Sequence, residues 1–103
     1  MPFAAMPFAA MQFSIRPDHP SLPGHFPGRP VVPGVVVLDR VIEAIEARHG
    51  PLGAMRLPQV KFVQPLLPGE VADIAIDEGD AGRWRFRVTR DGAPIASGEV
   101  VRA

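Results

Sequence analysis

The stretch Pro33-Gly34-Val35-Val36-Val37-Leu38-Asp39-Arg40-Val41-Ile42-Glu43-Ala44-Ile45-Glu46-Ala47-Arg48-His49-Gly50-Pro51 decides the fold. It predicts a helix over residues 35–49. Pro33 and Gly34 lead in, and Gly50-Pro51 is a stop signal. Val35, Leu38, Ile42 and Ile45 recur at helical spacing on one stripe, and Val36, Val37 and Val41 widen it. The first two turns are therefore apolar nearly all round, so the helix is expected to be buried. Its second half turns amphipathic, with Glu43, Glu46 and Arg48 on the wet side.

Outward from the helix, the chain reads as strands. Gln12-Phe13-Ser14-Ile15-Arg16 alternates polar and apolar residues, and Pro17 ends it. Six prolines between Pro17 and Pro33 then stiffen a long loop. Beyond the helix, residues 59–64 alternate, Pro68-Gly69 makes a turn, and residues 71–77 form a strand with Ile74 and Ile76 on one face. Residues 83–89 carry the cleanest alternation, with Trp84, Phe86 and Val88 opposite Arg83, Arg85 and Arg87. Asp91-Gly92 is a strong hairpin signal, and residues 93–101 return as the last strand. One buried helix against antiparallel strands predicts an α+β domain.

Composition bounds the function. At 103 residues the chain makes one small domain, with a marginal core when alone, so pairing with a second chain is a reasonable expectation. Eleven Lys+Arg balance eleven Asp+Glu, which leaves no positive field for a nucleic-acid backbone. Zero Cys excludes a disulfide scaffold, a thiolate zinc site and a thiol nucleophile, and fits a reducing compartment such as the cytoplasm. No apolar run approaches the ~20 residues of a membrane span. Residues 1–10 hold a duplicated pentapeptide and read as a flexible extension; residues 11–103 read as the domain.

Candidate chemistry gathers between Gly24 and Asp39. His25 lies between turn residues that fix its place, and a neutral imidazole is the usual general base near neutral pH. A loop histidine with a packing role is the competing reading. Asp39 lies among helix valines, where an ionised carboxylate needs a partner. Alternatively it shares a wet stripe with Glu43 and Glu46, and periodicity leaves both readings open. The helix starts without a Ser, Thr, Asp or Asn cap, so its first N–H groups are free to receive a polarised carbonyl oxygen or water. Gly34 has no side chain to keep a ligand from its N–H. The Arg83, Arg85 and Arg87 row reads as a solvated face, with an acidic partner as the lesser alternative. Other catalytic signatures are missing: no Gly-x-Ser-x-Gly, no P-loop, no metal-spaced histidine pair.

These residues resemble a known family. Gly24-His25-Phe26-Pro27-Gly28-Arg29-Pro30-Val31-Val32-Pro33-Gly34, with an acid at Asp39, is similar to the hot-dog-fold 3-hydroxyacyl-(acyl carrier protein) dehydratases of the FabA/FabZ type. Val60-Lys61-Phe62-Val63-Gln64-Pro65-Leu66-Leu67-Pro68-Gly69-Glu70 resembles the strand and turn after the family's central helix. Asp91-Gly92 and residues 96–101 resemble its final hairpin. The likeness covers roughly residues 13–102. This length resembles the small thioester dehydratases of lipid or polyene pathways.

The resemblance implies a hot-dog fold, an antiparallel sheet wrapped around one long helix. It implies dehydration of 3-hydroxyacyl thioesters, on acyl carrier protein or coenzyme A, to trans-2-enoyl thioesters. It implies His25 as catalytic base, Asp39 as the acidic partner from the facing subunit of a homodimer or larger assembly, and Gly34 N–H as donor to the thioester carbonyl. Phe26, Pro33, Val35 and Phe62 are expected to line the substrate site. No cofactor or metal is expected. A hot-dog thioesterase and a non-catalytic acyl-thioester-binding subunit are the alternatives.

Overall fold

The computed structural model describes residues 7–16, 31–80 and 82–103, with residues 7–10 described by their backbone. Among these, one helix and six strands form two layers. Strands β1 (Pro7–Phe13), β2 (Met55–Arg56), β3 (Lys61–Phe62), β4 (Ala72–Glu78), β5 (Arg83–Arg90) and β6 (Ala93–Arg102) make one sheet, and α1 (Gly34–His49) packs on it. The expected α+β architecture is present.

Alternation sets the inner face of the sheet. Ile74 and Ile76 of β4, and Trp84, Phe86 and Val88 of β5, are all buried. They share one core with Val36, Val37, Val41, Ala44 and Ile45 of α1. Burying a side chain as large as Phe86 contributes about 2–3 kcal/mol from its removal from water. The helix core face runs through Val37, Val41, Ala44 and Ile45, whereas Val35 is 64% exposed. The expected stripe through Val35 was thus rotated, and the helix is not buried all round. A helix apolar on every side carries no phase in its sequence, so packing alone chose the face.

The sheet order is β1-β4-β5-β6-β2, and β3 also pairs with β6. β4, β5 and β6 form an antiparallel meander. Asp91 and Gly92, at φ 51° and 81°, make the β5–β6 turn, as the sequence predicts for a two-residue hairpin. β2 and β3 share the outer side of β6 as an interrupted edge. Pro58 and Gln59 (φ 57°) break the ladder between them, while Pro58 O accepts the Glu99 N–H at 3.3 Å. The sequence reads the β3 region as one strand over residues 59–64; the ladder is shorter because this break and Pro65 flank it. Gly98 sits opposite the break. A Cβ there would lie 2.9 Å from Val60 Cα, so the close crossing of Val60 requires glycine.

β1 begins earlier than expected. Residues 7–10, read from the sequence as part of a flexible extension, pair with β4 through Pro7↔Asp77, Ala9↔Ile76 and Ala10↔Ala75. Ala9 and Ala10 offer no polar contrast, so no alternation marks them. The ladder stops at Phe13, yet Ile15 is buried and its carbonyl accepts the Gly69 N–H at 2.8 Å.

Candidate active site at the start of the central helix

α1 starts at Pro33, with φ −59° and ψ 143°, and no side chain caps it. The Pro33 carbonyl accepts the N–H groups of Val36 at 3.0 Å and Val37 at 3.4 Å. Among the described residues, the N–H groups of Gly34 and Val35 have no acceptor. Two donors at the positive end of a helix therefore stand available for a partially negative oxygen.

This helix start opens onto an apolar cavity of about 590 Å³. Pro33, Gly34 and Phe62 line it, joined by Val37, Leu66 and Ile95. Phe62 lies directly over Gly34: a Cβ on Gly34 would sit 2.8 Å from Phe62 Cζ and 3.1 Å from Cε1 and Cε2. Glycine therefore suits this position for packing as well as for ligand access. Phe62 itself is 49% exposed, so its ring has room to yield outward.

The structure thus brings together three of the expected site residues, Pro33, Gly34 and Phe62. It does not bring Val35 or Asp39 into this cavity. Both are exposed, on a stripe spaced four residues apart that continues to exposed Glu43. Gly34 and Asp39 are five residues apart, which turns their side-chain directions about 140° around the helix axis. Of the two readings for Asp39, burial among valines does not hold in the single chain; the wet stripe does. His25 and Phe26 lie outside the described residues.

Val63, Leu66 and Ile95 were missed as cavity residues. Ile95 falls within the stretch read as the last strand, and Leu66 lies just ahead of the Pro68-Gly69 turn, with no period to show which side chain faces inward. A larger open depression, about 760 Å³, holds Lys61, Arg85, Arg87 and Glu99 but none of the expected site residues except by adjacency at β3. Its charges are largely matched in place: Arg83 Nη1 lies 2.8 Å from Glu99 Oε2, and Arg87 Nη1 lies 3.2 Å from Asp77 Oδ2. No group of three His, Cys, Asp or Glu suited to a metal ion occurs among the described residues. No helix among them is long and apolar enough to cross a membrane.

A family model described as ApeI-like, ApeI dehydratase, matches residues 6–99. The chain belongs to this family. It is 29% identical over 98 residues to a 3-hydroxyacyl-[acyl-carrier-protein] dehydratase FabZ of Myxococcus xanthus, covering 82% of this chain and 64% of that protein. A FabZ of Thermomicrobium roseum is 31% identical over 107 residues, covering 87% and 68%. The chain therefore spans about two thirds of the length of these relatives. Among solved structures, the dehydratase heterocomplex ApeI:P from Xenorhabdus doucetiae matches with TM-score 0.76 and 26% identity, covering 89% of this chain and 83% of that one. A mutant of the fluoroacetyl-CoA-specific thioesterase FlK matches with TM-score 0.58 at 15% identity over 89% of this chain and 82% of that one, a likeness of fold. The ApeI-like chain has the hot-dog fold that its sequence resembles.

Proposed function

We propose that this ApeI-like chain dehydrates 3-hydroxyacyl thioesters, on acyl carrier protein or coenzyme A, to trans-2-enoyl thioesters in fatty-acid or related lipid biosynthesis. The observation that carries this reading is the uncapped helix start, with two N–H donors that have no acceptor among the described residues, set against an apolar cavity. A thioester carbonyl at Gly34 N–H draws electron density toward its oxygen and acidifies the α-carbon. One such donor is typically worth about 3–4 kcal/mol in the transition state. His25 takes the α-proton. The electron pair forms the C2–C3 double bond as the C3–O bond breaks, and the hydroxyl leaves as water with the proton delivered through Asp39. The proton on His25 then returns to the carboxylate through solvent.

A second copy of the chain supplies the missing geometry in this reading. Asp39 and Val35 form an exposed stripe with an acid below an apolar residue, suited to meeting His25 of a facing subunit. A homodimer with shared sites, located in the cytoplasm, is the proposed working form.

The test is product analysis by mass spectrometry on 3-hydroxyacyl thioesters of several chain lengths. The enoyl thioester is expected, with little free thiol, and His25→Ala should abolish its formation. Free thiol as the main product, or full activity in His25→Ala, contradicts the reading.

A further inference from the structure

Residues 63–71 join no strand or helix, and the first four of them, Val63 to Leu66, line the cavity. Val63 N–H donates to Ile95 O at 2.9 Å and Gly69 N–H to Ile15 O at 2.8 Å, but Pro65 and Pro68 donate no N–H, and the Pro65 carbonyl between those ties needs a donor from elsewhere. Arg90, the last residue of β5, meets that need. Its Nη1 donates to Pro65 O at 3.0 Å and to Glu70 Oε1 at 2.9 Å, and its Nη2 donates to Gln64 Oε1 at 3.3 Å. Glu70 Oε1 also accepts the Leu67 N–H at 2.8 Å. One guanidinium thus braces both ends of the arch. Its planar fork of donors suits this task better than a lysine ammonium.

The arch in turn holds the helix start. Within it, the Leu66 side chain is buried, and the Leu66 carbonyl accepts the Val32 N–H at 2.8 Å. Val32 immediately precedes Pro33, which has no N–H of its own. The path runs from Arg90 to the arch, from the arch to Val32, and from Val32 to Gly34.

We propose that Arg90 is a positioning residue for the carbonyl-binding N–H of Gly34. It touches no substrate and acts through Leu66 and Val32. The catalytic consequence rests on the dehydratase reading; the bracing itself does not. Arg90 and Glu70 have side chains 23% and 32% exposed, so the pair is sheltered enough to be specific. Core residues on the inner sheet face hold the fold without it.

Two readouts on the full chain test this. The first is steady-state dehydration of 3-hydroxybutyryl and 3-hydroxydecanoyl N-acetylcysteamine thioesters. Arg90→Ala should lower kcat about tenfold to a hundredfold, the scale of a misplaced catalytic group, and change KM by less than about threefold. Arg90→Lys should recover part of kcat. The second is amide hydrogen exchange at Val32, which should quicken at least about tenfold in Arg90→Ala and less in Arg90→Lys. Should Arg90→Ala not fold, Arg90→Gln takes its place with the same expected direction. Unchanged Val32 exchange, or wild-type kcat in a folded variant, overturns the proposal. A wild-type chain that dehydrates neither thioester defeats the dehydratase reading, and Val32 exchange then still decides the bracing.

Discussion

Replacing Gly34 with Ala separates the packing role of this glycine from its catalytic one. Its backbone is not in the left-handed region, so alanine is conformationally allowed. The new Cβ would lie 2.8 Å from Phe62 Cζ. Carbon–carbon contacts are optimal at about 3.5–4.0 Å, so the ring must retreat by roughly 0.7–1.2 Å. Overpacking typically costs about 1–3 kcal/mol, and the exposed outer edge of Phe62 favours the low end. Alanine's helix propensity returns up to about 1 kcal/mol over glycine. The net loss of stability should stay within about 1 kcal/mol, or no more than about 4–8 °C in Tm. Activity should fall much further, about tenfold to a hundredfold in kcat, because the N–H remains but the added methyl and the displaced Phe62 ring crowd the approach of the carbonyl to it. Thermal melts and the ultraviolet absorbance of the conjugated enoyl thioester measure the two effects. Because the clash is with one ring, Phe62→Ala combined with Gly34→Ala should show a favourable coupling of about 0.5–3 kcal/mol in the cycle. Wild-type kcat in Gly34→Ala, or strictly additive effects in the double variant, would refute the reasoning.

Two further substitutions probe the frame around the site. Gly98→Ala places a Cβ 2.9 Å from the Val60 backbone, which cannot swing aside as a ring can; it should destabilise the chain by about 1–3 kcal/mol and speed amide exchange in β3 more than in β4. Gly92→Ala forces a side chain into φ 81° at the β5–β6 turn, and chemical denaturation should show a loss of about 1–2 kcal/mol, with kcat per folded molecule unchanged.

Local signals in the sequence were strong where chain ends of elements were marked. Pro33 and Gly50-Pro51 bracket α1, whose observed span differs from the expected one by a single residue at its start. Asp91-Gly92 gives the turn, and the Arg-Trp-Arg-Phe-Arg-Val alternation gives the buried face of β5. What the sequence hid was tertiary in origin. The phase of α1 could not be read from a valine-rich first half. β2 has two residues, too few to show a period, and β3 pairs with β6 rather than with its sequence neighbour β4. The site divides in the same way. The uncapped helix start and Gly34 were legible from residue types. The seating of Phe62 on Gly34 was not, because it joins β3 to α1. Nor was the bracing by Arg90, which reaches across 20 residues to Glu70.

The central claim is a dehydration site shared between two chains, with His25 from one and Asp39 from the other. Its most direct test mixes His25→Ala with Asp39→Ala subunits, each inactive alone, under conditions where labelled subunits demonstrably exchange. Enoyl thioester formation should return toward about a quarter of the wild-type rate, since random pairing makes half the dimers mixed and each mixed dimer holds one intact site. Continued inactivity of the exchanged mixture would contradict the shared site.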